Sequence, residues 1–209
     1  MFWDRVAGVY DVFVNVINRR THQELKEIVS ALIEPDDKVL ECACGTGLLS
    51  AVIAPKCRQL TATDFSAKML KKAEKNCRAY RNITYSQADI TALPYTDSSF
   101  DKVVAGNVIH LLDDPLTALG ELNRVLRDGG MLIIPTYMNK DSKGKTSSFA
   151  GAVGKAGADF KRQFTVDSYK QFFRDAGYPD VKISLADGRI PCAVAVMRKM
   201  EKMSLNKEV

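Results

Sequence analysis

The sequence predicts an α/β fold built on a doubly wound, mostly parallel sheet of seven strands with helices on both faces. Short runs rich in Val, Ile and Leu alternate with helix-like stretches from Lys38 onward, the pattern of parallel strands joined by crossover helices. A glycine-rich turn, Glu41-Cys42-Ala43-Cys44-Gly45-Thr46-Gly47, follows the first of these runs directly. In doubly wound sheets that junction is where nucleotides bind.

The elements follow in order. Phe2, Val6, Val9, Phe13 and Val16 recur at helical spacing, with Trp3, Tyr10 and Ile17 widening the stripe, and predict an amphipathic helix. A second helix is expected from Thr21 to Ile33, with Leu25, Ile28, Val29 and Leu32 inward and Pro35 marking its end. Strands are expected at Val39–Cys42, Leu60–Thr63, Ile83–Ser86, Val103–Ala105 and Met131–Ile134. The clearest crossover helices are Ser66–Asn76, where Ser66 suits an N-cap, and Pro115–Leu126, where Pro115 suits a first turn. Asp128-Gly129-Gly130 is expected to stop that helix and turn the chain into the next strand.

Lys, Ser, Gly and Ala then dominate between Met138 and Ala158, a stretch too long for an ordinary connection; a substrate loop is expected over 138–160. A helix from Thr165 to Ala176, ending at Gly177, and strands at Val181–Leu185 and Cys192–Met197 complete a single domain over 1–199. Residues 200–209 read as a flexible charged tail.

Composition narrows the function classes. A chain of 209 residues suits one globular domain, and 46% hydrophobic with 26% charged residues excludes the disordered and fibrous classes. The apolar run from Val103 to Leu112 is broken by Gly106, Asn107 and His110, well short of the roughly 20 residues a membrane span needs. No basic segment leads into an apolar run at the N-terminus, so a cytoplasmic protein is expected. Five cysteines without CxxC spacing read as reduced thiols, and two histidines, His22 and His110, are too few for a His-rich metal site. The net charge of +5 is spread over dispersed lysines and the tail, which argues for a solvated surface over a nucleic-acid partner.

Small residues in the glycine turn let a ligand approach the backbone. Gly45-Thr46-Gly47-Leu48-Leu49-Ser50 also satisfies most of GxGxxG, with Ser50 in place of the third glycine, so a nicotinamide-dependent oxidoreductase has to be weighed. Asp64, about twenty residues beyond the turn, can accept hydrogen bonds from ribose hydroxyls in either case. As a plain structural residue it would favour the dipole of the helix that follows.

Further motifs accompany these in order: Tyr10-Asp11, Val39 to Gly47, and Asp64-Phe65-Ser66-Ala67-Lys68-Met69-Leu70. Ala88-Asp89-Ile90 with Leu93-Pro94 and Ser99-Phe100-Asp101 comes next, and then Arg124 to Gly130. Together they resemble the class I S-adenosylmethionine-dependent methyltransferases, in the branch of the ubiquinone/menaquinone C-methyltransferases, from about Trp3 to Met197. The resemblance implies a Rossmann-like fold with N-terminal lid helices over 1–35. It implies S-adenosylmethionine as cofactor, S-adenosylhomocysteine as product, and methyl transfer to a small-molecule acceptor by direct displacement.

Site residues are implied in the same way. Glu41 and the backbone around Ala43, Cys44, Gly45 and Gly47 would meet the methionine moiety, and Asp64 the ribose hydroxyls. Phe65 and Met69 would pack the adenine, Asp89 would accept from its amino group, and Ile90 would lie beside the ring. Asn107 and Val108 would line the methionine end, with Tyr10 closing the site from the N-terminal helix. The family usually has glycine where Ala43 stands and often Asp where Glu41 stands. Ala is still small, and Glu keeps the charge. The later motifs weigh against the oxidoreductase. A catalytically silent S-adenosylmethionine-binding protein of the same fold stays open.

Direct displacement needs alignment and desolvation, and a weakly acidic nucleophile also needs a base. His110, on the Asn107-Val108-Ile109-His110 loop after the fourth strand, is the candidate base; a histidine that packs beside the cofactor is the alternative. That loop lacks the Asn/Asp-Pro-Pro-aromatic motif of the enzymes that methylate nucleobase amino groups. The Cys42-x-Cys44 pair fits small alternating positions at a strand end better than thiol chemistry. Tyr137 and the Lys140–Lys145 segment are candidates for the acceptor entrance, and the apolar N-terminal helix for a cover over a hydrophobic acceptor or a contact with a membrane surface.

Overall fold

The computed structural model describes residues 18–138 and 161–199. In chain order its elements are α1 (Arg19–Ser30), β1 (Lys38–Cys42), α2 (Ser50–Ile53), β2 (Gln59–Asp64), α3 (Ala67–Asn76), β3 (Ile83–Gln87) and β4 (Phe100–Ala105). A 3-10 turn (Ile109–Leu111), α4 (Pro115–Val125), β5 (Leu126–Tyr137), α5 (Val166–Asp175), β6 (Lys182–Ala186) and β7 (Cys192–Arg198) follow. The strands form one seven-stranded sheet of order β3-β2-β1-β4-β5-β7-β6. Neighbours from β3 to β5 are parallel, and β7 runs antiparallel to both β5 and β6. Strand order reverses between β1 and β4, which opens a crevice at their C-terminal ends.

Side-chain alternation places helices on both faces. Val103 and Leu132 pack against Leu119, Leu122, Tyr169 and Phe173 of α4 and α5. Val104 and Ile133, one residue on, pack with Leu25, Val29 and Ile53 of α1 and α2. Every residue of β4 is therefore buried. Helix starts are fixed by capping: Ser66 Oγ accepts the Met69 N–H at 3.2 Å, and Asp114 Oδ1 accepts those of Leu116 and Thr117 at 3.1 Å. Thr165 and Ser168 form a reciprocal capping box at α5.

Some boundaries depart from the sequence reading. The second expected helix runs Arg19–Ser30 instead of Thr21–Ile33, and the helix after the glycine turn is a single turn, Ser50–Ile53. Asp128-Gly129-Gly130 does not precede the fifth strand; it lies inside β5. Leu126 pairs with Phe100 and Met131 with Lys102, so the intervening residues form a bulge in which Gly129 takes φ +71°. A Cβ on Gly130 would sit 2.7 Å from the Arg127 carbonyl. The expected helix around Tyr10, the segment from Lys140 to Lys145 and the tail 200–209 lie outside the described residues, as does the loop 138–160 apart from Met138. No helix among the described residues is long and apolar enough to cross a membrane.

α1 is clamped to the connection between β6 and β7. The buried Asn18 donates from Nδ2 to the Ile190 carbonyl (2.8 Å), and its Oδ1 accepts from the Ile190 N–H (3.0 Å) and from Thr21 Oγ1 (2.7 Å). Gly188, at φ +152°, passes so close that a Cβ there would lie 2.2 Å from Thr21 Oγ1. Asn18→Ala leaves the buried Ile190 N–H and C=O unsatisfied and is expected to cost about 2–3 kcal/mol of unfolding free energy in urea titrations. A loss below about 0.5 kcal/mol, the range of ordinary surface substitutions, would show that the clamp does not hold α1 in place.

Candidate active site

The site begins where β1 ends. After Cys42 the chain enters a left-handed turn in which Ala43, Gly45 and Gly47 take φ values of +54°, +56° and +89°. The Cys44 N–H donates to the Thr63 carbonyl (2.9 Å) and the Gly47 N–H to the Cys44 carbonyl (3.0 Å). Asp64, ending β2, accepts the Gly45 N–H on Oδ2 and the Ser66 N–H on Oδ1, each at 2.8 Å. One carboxylate thus ties the turn to the start of α3. The two glycines have different reasons. A Cβ at Gly47 would lie 2.9 Å from Cys77 Sγ and 3.2 Å from Ala73 Cα, whereas one at Gly45 would meet nothing within 4 Å.

The open space over Gly45 belongs to a cavity of about 510 Å³ at the C-terminal ends of β1, β2 and β4. Of the residues singled out by sequence, Ala43, Gly45, Asp64, Phe65, Met69, Asp89, Ile90, Asn107 and Val108 line it. Glu41, Cys44, Gly47 and His110 are not part of that lining, and Tyr10 is outside the described residues. Thr63, Thr91 and the run Leu111 to Asp114 join the wall without having been picked out. Their only signal is position, at a strand end or just past the 3-10 turn.

The wall has two characters. Phe65, half-exposed, stands with the buried Met69, Ile90 and Val108 as an apolar slot. Asp64 and Asp89 supply carboxylates, Asp89 accepting on Oδ1 from the Thr91 N–H (2.8 Å) and Oγ1 (2.7 Å). Asn107, at φ +54°, accepts the Tyr137 N–H on Oδ1 (2.9 Å) and donates its own N–H to the Pro135 carbonyl (2.8 Å), locking the ends of β4 and β5 together. An open cradle over a glycine, carboxylates for hydroxyl and amino groups, and a slot for a flat ring fit S-adenosylmethionine. Among the described residues no cluster of His, Cys, Asp or Glu is arranged to hold a metal ion.

Beneath the turn the electrostatics differ. Glu41 is 2% exposed and accepts from Ser50 Oγ at 2.5 Å on Oε2. Burial pushes its carboxyl up to about 8, against the lowering effect of the Ser50 hydrogen bond, and the nearby Asp64 adds to the rise. Ser50, at the place of the third glycine of a dinucleotide fingerprint, therefore has a partner of its own. Burial pushes His110 down to about 4, which leaves a neutral imidazole; its backbone carbonyl accepts from the Arg162 N–H at 3.1 Å. All five cysteines are buried free thiols. Burial holds Cys42 up at about 12 and Cys44 well above the usual thiol range, so neither is a ready nucleophile.

Residues 40–134 match the family described as Methyltransferase domain. With the sheet order, that match supports a class I S-adenosylmethionine-dependent methyltransferase domain. Within that class it is similar to the demethylmenaquinone methyltransferase of Staphylococcus carnosus (strain TM300), at 34% identity over 137 residues, covering 63% of this chain and 56% of the relative. The chain therefore spans little more than half the length of that enzyme. Among solved structures it resembles an S-adenosylmethionine-dependent methyltransferase from Thermotoga maritima, with a TM-score of 0.71 and 21% identity over 95% of this chain and 99% of the other. Magnesium protoporphyrin IX methyltransferase from Synechocystis PCC 6803, solved with bound S-adenosylhomocysteine, matches with a TM-score of 0.69 and 18% identity over 95% and 93% of the two chains.

Glu41 gives the site a pH signature in stability. Its folded value of about 8 lies above the ordinary 4.5, so the folded state binds more protons between those limits. Its contribution is complete below pH 4.5 and is lost as pH rises through 8. The buried His22 and His110, both lowered from 6.5 to about 4, act oppositely and only below pH 6.5. Between pH 6.5 and 8 the protein is expected to lose stability in urea titrations, and Glu41→Gln to flatten that fall. Parallel pH profiles for the two proteins would exclude Glu41 as the titrating group.

Proposed function

We propose that the chain transfers a methyl group from S-adenosylmethionine to a small-molecule acceptor by direct displacement, as a single domain over 1–199 in the cytoplasm. The observation that carries this reading is one cavity uniting the open cradle over Gly45 with the Asp64 and Asp89 carboxylates and the apolar slot. When bound, the cofactor supplies an electrophilic methyl carbon on a sulfonium. The turn backbone from Ala43 through Cys44 and Gly45 to Gly47 holds the methionine portion, with Glu41 beneath it and Asn107 and Val108 alongside. Asp64 accepts from the ribose hydroxyls. Phe65, Met69 and Ile90 pack the adenine, Asp89 accepts from its amino group, and Tyr10 closes the site.

His110 acts as the base. It stands two residues after Val108 and directly before Leu111, both in the cavity wall, and burial keeps its ring unprotonated at neutral pH. The similarity to enzymes named for demethylmenaquinone supports a small organic acceptor over a nucleic acid. Free buried thiols agree with a reducing compartment.

Calorimetry with S-adenosylhomocysteine tests the cofactor reading: Asp64→Ala is expected to weaken binding about tenfold or more, as loss of a charged hydrogen-bond acceptor does. An unchanged affinity would remove Asp64 from the site. An acceptor screen read by S-adenosylhomocysteine release tests turnover. His110→Ala should lower the rate by about 100-fold or more, the scale of general-base catalysis, with cofactor affinity unaltered. Full turnover in that variant would remove the base assignment, and tight cofactor binding without turnover on any acceptor would favour a silent binding protein.

A further inference from the structure

Positive charge is unevenly placed on this protein. Eight of the 30 Lys and Arg but only two of the 25 Asp and Glu fall between Lys56 and Arg81, so this stretch holds more than the whole net charge of +5. Lysines that look dispersed in sequence come to one face once α3 forms. Lys68, Lys71, Lys72 and Lys75 stand at helical spacing, whereas Met69 and Ala73 are buried where the helix packs on β2 and β3. Arg78 and Arg81 follow the helix. Asn82 donates from Nδ2 to the carbonyls of Ala54 (2.8 Å) and Cys57 (3.0 Å), which brings Arg81 beside Lys56 and Arg58 just before β2.

All of these cations but the half-buried Lys72 are exposed. Among the described residues none of the exposed ones takes part in an ion pair, whereas Lys102, Arg124 and Arg127 each face a carboxylate. Their placement works against the fold: like charges three and four positions apart repel, and Lys68 in the first turn opposes the helix dipole. One free-standing acid, Glu74, lies among them, since the other, Asp64, is bonded to the glycine turn. Stability does not account for such a face, and a polyanionic partner does. Single-stranded nucleic acid is held by rings on which bases stack. Here Tyr80, between Arg78 and Arg81, packs against the core, and Phe65 belongs to the cofactor cavity. Five of the eight cations are lysines, compact point charges on flexible stems, which suit the diffuse field of a lipid surface.

We propose that the outer face of α3, continued by Arg78, Arg81, Lys56 and Arg58, docks on an anionic phospholipid membrane. The attraction is the summed field of the exposed cations, so it weakens as salt is added. Phe65, one residue before the Ser66 cap of α3, lines the cofactor cavity, so a bilayer along α3 lies beside that cavity. The inference goes beyond the methyl-transfer reading and does not depend on it.

The full chain is mixed with sedimentable vesicles of equal parts phosphatidylglycerol and phosphatidylcholine, and separately with vesicles of phosphatidylcholine alone. Binding to the anionic vesicles only, released by added sodium chloride, is expected. The triple substitution Lys68→Gln, Lys71→Gln, Lys75→Gln should weaken binding about tenfold or more, since each cation near an anionic surface adds to the attraction. That variant should unfold at an equal or higher temperature, because repulsion along α3 is relieved, which separates lost docking from lost folding. Lys26→Gln, Lys170→Gln, Lys182→Gln removes the same charge from α1, α5 and β6 and should bind nearly as the parent does. No binding to the anionic vesicles, equal binding to the neutral ones, an unchanged affinity in the α3 variant, or an equal loss in the control would each overturn the inference. So would tighter binding of polyuridylate than of anionic vesicles at the same phosphate and salt concentrations, which would assign the face to nucleic acid.

Discussion

The carboxylate of Asp64 is the interaction on which the site depends. Parallel register sets Cys42 opposite Thr63, so the ends of β1 and β2 arrive side by side. The turn that leaves β1 then has to place Ala43, Gly45 and Gly47 in left-handed conformations. For Ala43 this costs about 1–2 kcal/mol relative to glycine, because its Cβ crowds the following carbonyl. Hydrogen bonds from Gly45 to Asp64 and from Cys44 to the Thr63 carbonyl offset that cost. The same carboxylate accepts from Ser66 and so orients the start of α3, against which Gly47 packs with no room for a Cβ.

Two acids in the same neighbourhood meet opposite environments. Asp64 is partly exposed in the cavity wall, and Glu41 is sealed beneath the turn with Ser50. Holding both as anions would set like charges together under a low local dielectric, and burial resolves the conflict by favouring the protonated form of Glu41 near neutral pH. This also explains the serine where a dinucleotide fingerprint would have glycine. Thr63 Oγ1 donates to the Glu41 carbonyl at 3.1 Å, so the backbone of that residue is held from β2 as its side chain is held from α2.

Legibility of the fold followed the strength of local signals. Central strands read clearly where consecutive apolar residues, such as Val103–Ala105, are buried on both faces, and helix starts read clearly at Ser66, Pro115 and Thr165 because capping chemistry is local. The bulge in β5 did not, since Asp128-Gly129-Gly130 has the composition of an ordinary turn and only pairing with Phe100 and Lys102 reveals a strand. Most of the cofactor cavity was legible through motifs at strand ends. Glu41 was read as a contact residue, and its burial under the turn depends on the Ser50 hydroxyl nine positions away. His22 carried no local signal at all: its partner is 115 residues distant, and its significance appears only when β5 is placed beside α1.

That placement traces back to the clamp at Asn18. α1 covers the sheet face formed by β6, β7 and α2, and the buried Asn18 amide fixes where it enters by gripping both polar groups of Ile190. With that entry point set, His22 falls on the first turn of α1, within reach of Tyr137, whose backbone Asn107 already holds. The two histidines are equally buried, at 3% exposure, yet different elements place them. His110 is placed by the 3-10 turn that follows β4, inside the sheet's own connections. His22 is placed by a helix docked from outside, so its contact with Tyr137 depends on the Asn18 clamp and not on the glycine turn.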